Sequence, residues 1–162
     1  MPRANRLMSM HLRDIAVALT ICTALASAAD SCPATTPPDT AFVPPPSYPK
    51  AAGKTFYVGT PKLWVAIYAG PWRGLSLWPE GYRQKIAWWS EGYDAKADPL
   101  PAIAISGRRL DGNGPPLVVA GANGSWTTAD FIMSGVNFPT KGCWEITGRY
   151  KGAEVKFVVS IE

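Results

Sequence analysis

Histidine is nearly missing from this chain. Among 162 residues there is one, His11, and it lies in an N-terminal segment with the features of an export signal. Once that segment is gone, no Ser-His-Asp or Cys-His nucleophile can be built, because each needs an imidazole to take the proton. Cysteine is scarce as well, at three. Two mature thiols with no histidine do not make a zinc site, so no metal and no cofactor are expected. Basic clusters are absent apart from Arg108-Arg109, which leaves no electrostatic footprint for nucleic acid. No Gly-rich phosphate loop stands between a strand and a helix. Past residue 28 no apolar run is long enough to span a bilayer, so no transmembrane span is expected in the mature chain.

What is present begins with residues 1–28. Arg3, Arg6 and Arg13 make a basic start, and an apolar core follows from Ile15 to Leu25. Ala24-Leu25-Ala26 and Ala26-Ser27-Ala28 are small-x-small cleavage sites. The segment reads as a signal helix removed on export to the periplasm or beyond. Left uncleaved, it would anchor the chain to the membrane. Neither Cys22 nor Cys32 follows the small residues that lipoprotein processing needs. Removing residues 1–28 of 162 leaves 134, enough for one domain with a real core. Three arginines and Asp14 leave with the signal, so the net charge falls from +4 to +2 (13 basic, 11 acidic). Part of the basic character therefore belongs to the signal.

The mature chain keeps Cys32 and Cys143, and two cysteines in an exported protein read as one disulfide. It would close a loop of about 110 residues, for which chain entropy sets an upper figure near ~4.7 kcal/mol. Residues 29–53 form a Pro-rich tail or spacer. Pro33, Pro37, Pro38, Pro44, Pro45, Pro46 and Pro49 favour extended polyproline geometry over ladders. A free linker is the default. With Cys32 bonded to Cys143, the tail must instead lie along the domain, with Phe42 and Tyr48 as packing points.

Residues 54–162 read as one all-β domain. Strands are predicted at 54–58, 63–68, 84–90, 102–110, 117–120, 131–138, 142–150 and 155–161. Residues 75–83 read as irregular and 122–130 as a loop around Trp126. The last stretch is clearest: Val155, Phe157, Val159 and Ile161 share one face of a strand, since side chains alternate sides. Residues 131–161 read as three antiparallel strands in a row. At their first joint, Phe138, Gly142, Trp144 and Ile146 take the spacing of the corner before the penultimate strand of immunoglobulin-like sandwiches, where an aromatic reaches back across the turn. Trp144 stands for the usual tyrosine, and Ile146 for the antibody cysteine. The expected fold is an immunoglobulin-like antiparallel β-sandwich of Greek-key type, against a plainer sandwich or meander.

Several segments together carry a family resemblance. They are Cys32-Pro33, Lys62-Leu63-Trp64-Val65, Lys85 through Trp88-Trp89, Ser106-Gly107-Arg108-Arg109-Leu110-Asp111 with Pro115-Pro116-Leu117, and Phe138-Pro139-Thr140-Lys141-Gly142-Cys143-Trp144-Glu145-Ile146-Thr147-Gly148-Arg149. In this order they resemble a group of exported bacterial proteins to which no activity is attached. The resemblance implies an exported sandwich with paired cysteines. This chain departs from the pattern at Ser90, after the tryptophan pair, and at Gly112-Asn113-Gly114.

Seven tryptophans are a heavy load for this length. Trp72, Trp78, Trp88 and Trp89, in the Trp-rich segment 64–93, are the candidate platform on which sugar rings would stack. The competing reading is that aromatics fill a sandwich core, and Trp88 and Trp89 must point to opposite faces. Glu80, Glu91, Asp94 and Asp98 lie nearby and raise a third reading, glycoside hydrolysis by paired carboxylates. Of Arg108 and Arg109, at most one faces a sheet interior, where it would need a partner such as Glu145. The leading expectation is a non-enzymatic interaction module, with an envelope protein or a carbohydrate as partner. An exposed aromatic strip would favour carbohydrate, and buried tryptophans the interaction module.

Overall fold

The computed structural model describes residues 31–40 and 42–162. Residues 1–28, read from the sequence as an export signal, lie outside the described residues. Among the described residues there are nine strands and no helix. They are β1 (Thr55–Thr60), β2 (Leu63–Tyr68), β3 (Ser76–Trp78), β4 (Gly81–Trp89), β5 (Ala104–Arg109), β6 (Val118–Trp126), β7 (Asp130–Phe138), β8 (Gly142–Tyr150) and β9 (Ala153–Ile161). One sheet runs β1-β2-β4-β7-β6, with β3 paired to β4, and the other runs β5-β8-β9. All pairs of strands are antiparallel.

The core follows from period-two alternation on both sheets. Val155, Phe157, Val159 and Ile161 of β9 face inward with Trp144 and Ile146 of β8. They meet Leu63, Val65 and Ile67 of β2, Ile86 and Trp88 of β4, and Ile132, Val136 and Phe138 of β7. Trp88 is fully buried and reaches across the sandwich to the backbone of Gly148, where a methyl group would collide with its ring. Its indole N–H donates to Ser134 Oγ at 2.9 Å, so the buried polar atom is satisfied.

Three expectations are corrected here. Of residues 122–130 only 127–129 are a loop: β6 runs through Trp126, paired to β7 past a register shift between Val119 and Ala122. Gly121, Gly124 and Asn123 have little strand preference, and the ladder of β7 imposes the strand on them. Residues 76–78, read as irregular, form β3 against β4. The stretch 131–161 is not one three-stranded run, because β7 and β8 belong to different sheets and only β8 and β9 form a hairpin.

Cys32 and Cys143 are joined in a disulfide. Beside it, Thr35 N donates to the Val158 carbonyl and Val158 N to Thr35 Oγ1, which stitches the tail to the outside of β9. The tail then reaches the outer face of the larger sheet. There Phe42 and Tyr48 pack on Trp64, with ring centroids 5.3 and 4.8 Å away. Trp64, Trp89, Tyr57 and Phe131 form a second apolar cluster under this cover.

Candidate functional site

The tryptophan platform does not form as expected. Trp72, Trp88 and Trp89 are buried, and of the four only Trp78 is exposed. Trp88 fills the inner core, while Trp89 points to the other face and lies under the tail beside Trp64. Trp72 packs edge-on against Phe138. Trp78 carries the Arg83 guanidinium 3.8 Å above its ring, a cation–π pair that occupies that face. Alternation alone explains the outcome: neighbouring tryptophans on a two-sided sheet have opposite destinations, and both sides here are covered.

The arginine pair and the corner interlock. Arg108 points outward to Glu145 at 2.9 Å, while Arg109 pairs with Asp111 at 2.6 Å and reaches Thr140. Glu145 is thus the partner of the outward arginine, not of the one turned inward. Leu110 N donates to the Cys143 carbonyl at 2.8 Å. The Arg109 guanidinium and a backbone bond from Cys143 hold the Asp111 carboxyl below the usual carboxylate range, against some desolvation. Gly142 sits at φ 133°, and a methyl group there would lie 2.8 Å from both Arg109 Nε and Asp111 Oδ1. Trp144 Nε1 donates to the Thr140 carbonyl at 3.0 Å, and its ring meets Phe138 edge-on. The two longest motifs of the chain therefore meet as one structural clasp around Cys143.

The nearby carboxylates are occupied in turns. Asp94 Oδ1 accepts from Lys96 N and Ala97 N, which lowers its pKa. Asp98 Oδ2 accepts from Tyr150 OH at 2.8 Å, and its carbonyl from Tyr93 OH. Burial, and then the neighbouring acidic groups, push the Tyr93 phenol up to about 12. Glu80 lies 3.7 Å from Arg83. Among the described residues no group of three His, Cys, Asp or Glu side chains is placed to hold a metal ion. No helix among them is long and apolar enough to cross a membrane.

One cleft is built by the fold itself. β2 pairs with β4 only at Trp64↔Trp89 and Val65↔Trp88. Beyond Tyr68 the chain turns through Gly70 and Pro71, and Trp72 pairs in parallel with the end of β9 on the other sheet. Proline has no N–H to continue a ladder, so the turn ends β2's run. β3 takes over the flank of β4 only up to Arg83. Residues 84–87 are thus left with no strand on that side, a gap of roughly 13 Å at ~3.3 Å per residue. Over it opens a cleft of about 690 Å³. Lys54, Tyr68, Arg73, Gln84 and Lys85 line it, with Trp72 below. Sequence patterning misses this place, because each strand reads as regular and the gap arises where two of them part. The strands part after Val65, ahead of the Gly70-Pro71 turn, while β2 stays paired to β1 through Tyr68. No protein-family model matches the chain, and no curated protein and no solved structure is significantly similar to it.

Proposed function

We propose that this chain is an exported, disulfide-locked, immunoglobulin-like domain that works by binding, as an interaction module of the cell envelope or the extracellular space. The observation that carries the reading is the Cys32–Cys143 bond, directly behind a segment with the pattern of an export signal. Structural disulfides persist in oxidising compartments and are rare in the reducing cytosol. The strand order supports the fold family. Reading β2, β4, β7 and β6 as A, B, E and D, and β5, β8 and β9 as C, F and G, with β1 and β3 as additions, supports a constant-type arrangement. The indole bond from Trp144 to Thr140 supports the corner reading, and the motif clasp supports kinship with the exported bacterial group. The tail covers the outer face of the larger sheet around Trp64 and leaves Tyr68 and Lys85 exposed, where a binding module needs its surface.

Mass spectrometry of the native protein under non-reducing conditions tests this. A chain starting near Ala29, lacking the two thiol hydrogens and yielding a peptide that joins Cys32 to Cys143, is the expected result. An intact N-terminus with free thiols would remove export and the module with it.

A further inference from the structure

We infer that the cleft between β2 and β4 binds an acidic sugar, a carboxylate-bearing pyranose at or near the end of a glycan. This rests on reading the domain as a binding module and names its ligand class. Four features of the cleft converge. First, the β4 backbone over residues 84–87 lacks a strand neighbour on the cleft side, so main-chain donors and acceptors are free to meet ring hydroxyls. Second, the charge there is positive. Lys54 and Lys85 make no ion pair among the described residues, whereas Arg73 is held by Glu162 at 2.6 Å. Third, Tyr68 is 47% exposed at the mouth and offers a ring face to the C–H side of a pyranose. Fourth, Ala66, Ala69, Trp72 and Leu75 line this same cleft and give it apolar surface on which the C–H side of a ring can rest.

The size and lining fit this class. A cleft of about 690 Å³ lies within the range of small-ligand sites. Two lysines act as point charges that match a carboxylate without demanding a planar fork. Gln84 brings both a donor and an acceptor to the rim. A simple anion would use the lysines alone and leave Tyr68, Gln84 and the strand gap unused. A neutral sugar would leave the two charges unmatched.

The test uses the oxidised chain with trigalacturonic acid, its neutral galactose counterpart, and inorganic phosphate. Titration calorimetry measures affinity, and amide NMR locates the site. The acidic trimer should bind, shift the amides of residues 84–87 and the Trp72 indole, and weaken as salt rises. Lys54→Gln with Lys85→Gln should weaken it at least tenfold, and the neutral trimer should bind at least tenfold more weakly. Lys156→Gln, on the outside of the other sheet, should change nothing. Equal affinity for both trimers, displacement of the trimer by equimolar phosphate, shifts elsewhere, or no binding would each overturn the assignment. Because the mass measurement of the disulfide and N-terminus is independent of any sugar, failure here would leave the export reading standing.

Discussion

Gly148 shows how one atom can govern a core. Its backbone is the floor on which the Trp88 ring rests, and a methyl group has no room beneath that ring. Trp88 cannot retreat, because Ser134 holds its indole nitrogen. Gly148→Ala should therefore cost about 1–3 kcal/mol, the range of overpacking in a filled core, read as a lower urea midpoint with an unchanged slope. Asp111 makes a different case. Its carboxyl titrates below the usual range because of Arg109, so its contribution is complete above the ordinary carboxylate pKa of 3.8 and is lost as pH falls through the lower folded value. Asp111→Asn should lower stability at pH 7. Denaturation at pH 7 and again near pH 2 should show the gap between variant and parent narrowing on the acid side. The pair is partly exposed, so the gap is modest even at pH 7.

At the scale of elements, the tail and β6 make opposite contributions. The tail is rich in proline yet does not behave as a free linker, because Phe42 and Tyr48 find Trp64. Phe42→Ala should cost roughly 1–2 kcal/mol, below the ~3–5 kcal/mol of a fully buried phenylalanine since the ring is half-buried. The same variant should shift tryptophan emission to the red as Trp64 loses its cover. β6 is an edge strand with no charge anywhere between Asp111 and Asp130, and it exposes Val118, Val119 and Trp126. Such edges invite pairing with other chains, and here the bulge after Val119 is the main guard. Trp126→Lys, at the most exposed of these positions, should raise the concentration at which the protein stays monodisperse in light scattering and leave its thermal midpoint nearly unchanged.

For the whole molecule, one covalent link spans most of the domain. The disulfide separates its cysteines by 111 positions and fastens the tail, the clasp at Cys143 and the outer face into one unit. Cys32→Ser with Cys143→Ser should lower stability by at most about 4–5 kcal/mol on chain-entropy grounds. It should also release Phe42 and Tyr48, so that the apolar cluster around Trp64 and Trp89 begins to bind a hydrophobic dye. Loss of stability with no dye binding would mean that the tail holds its place by packing alone.

The alternation at Leu63–Tyr68, Gly142–Tyr150 and Ala153–Ile161 was readable residue by residue, since a strand's two faces are a local property with period two. The pairing of Cys32 with Cys143 was readable for the same kind of reason: only two cysteines lie beyond residue 28. An all-β fold with a stapled tail is therefore legible from local pattern and cysteine count. Sheet membership was not local. β7 and β8 look alike and are close neighbours in the chain, yet they stand in opposite sheets because the corner at Pro139–Gly142 carries the chain across the core. Trp88 and Trp89 had to part, but which one would meet Gly148 and which the tail depended on partners about sixty and forty positions distant. Residues 122–126 have weak strand preference, and only the ladder offered by β7 makes them a strand. The cleft was decided last, by β2 parting from β4 after Val65 while it stays paired to β1, with Trp72 beyond it closing the edge of the other sheet, a division of hydrogen bonds that exists only once both sheets are in place.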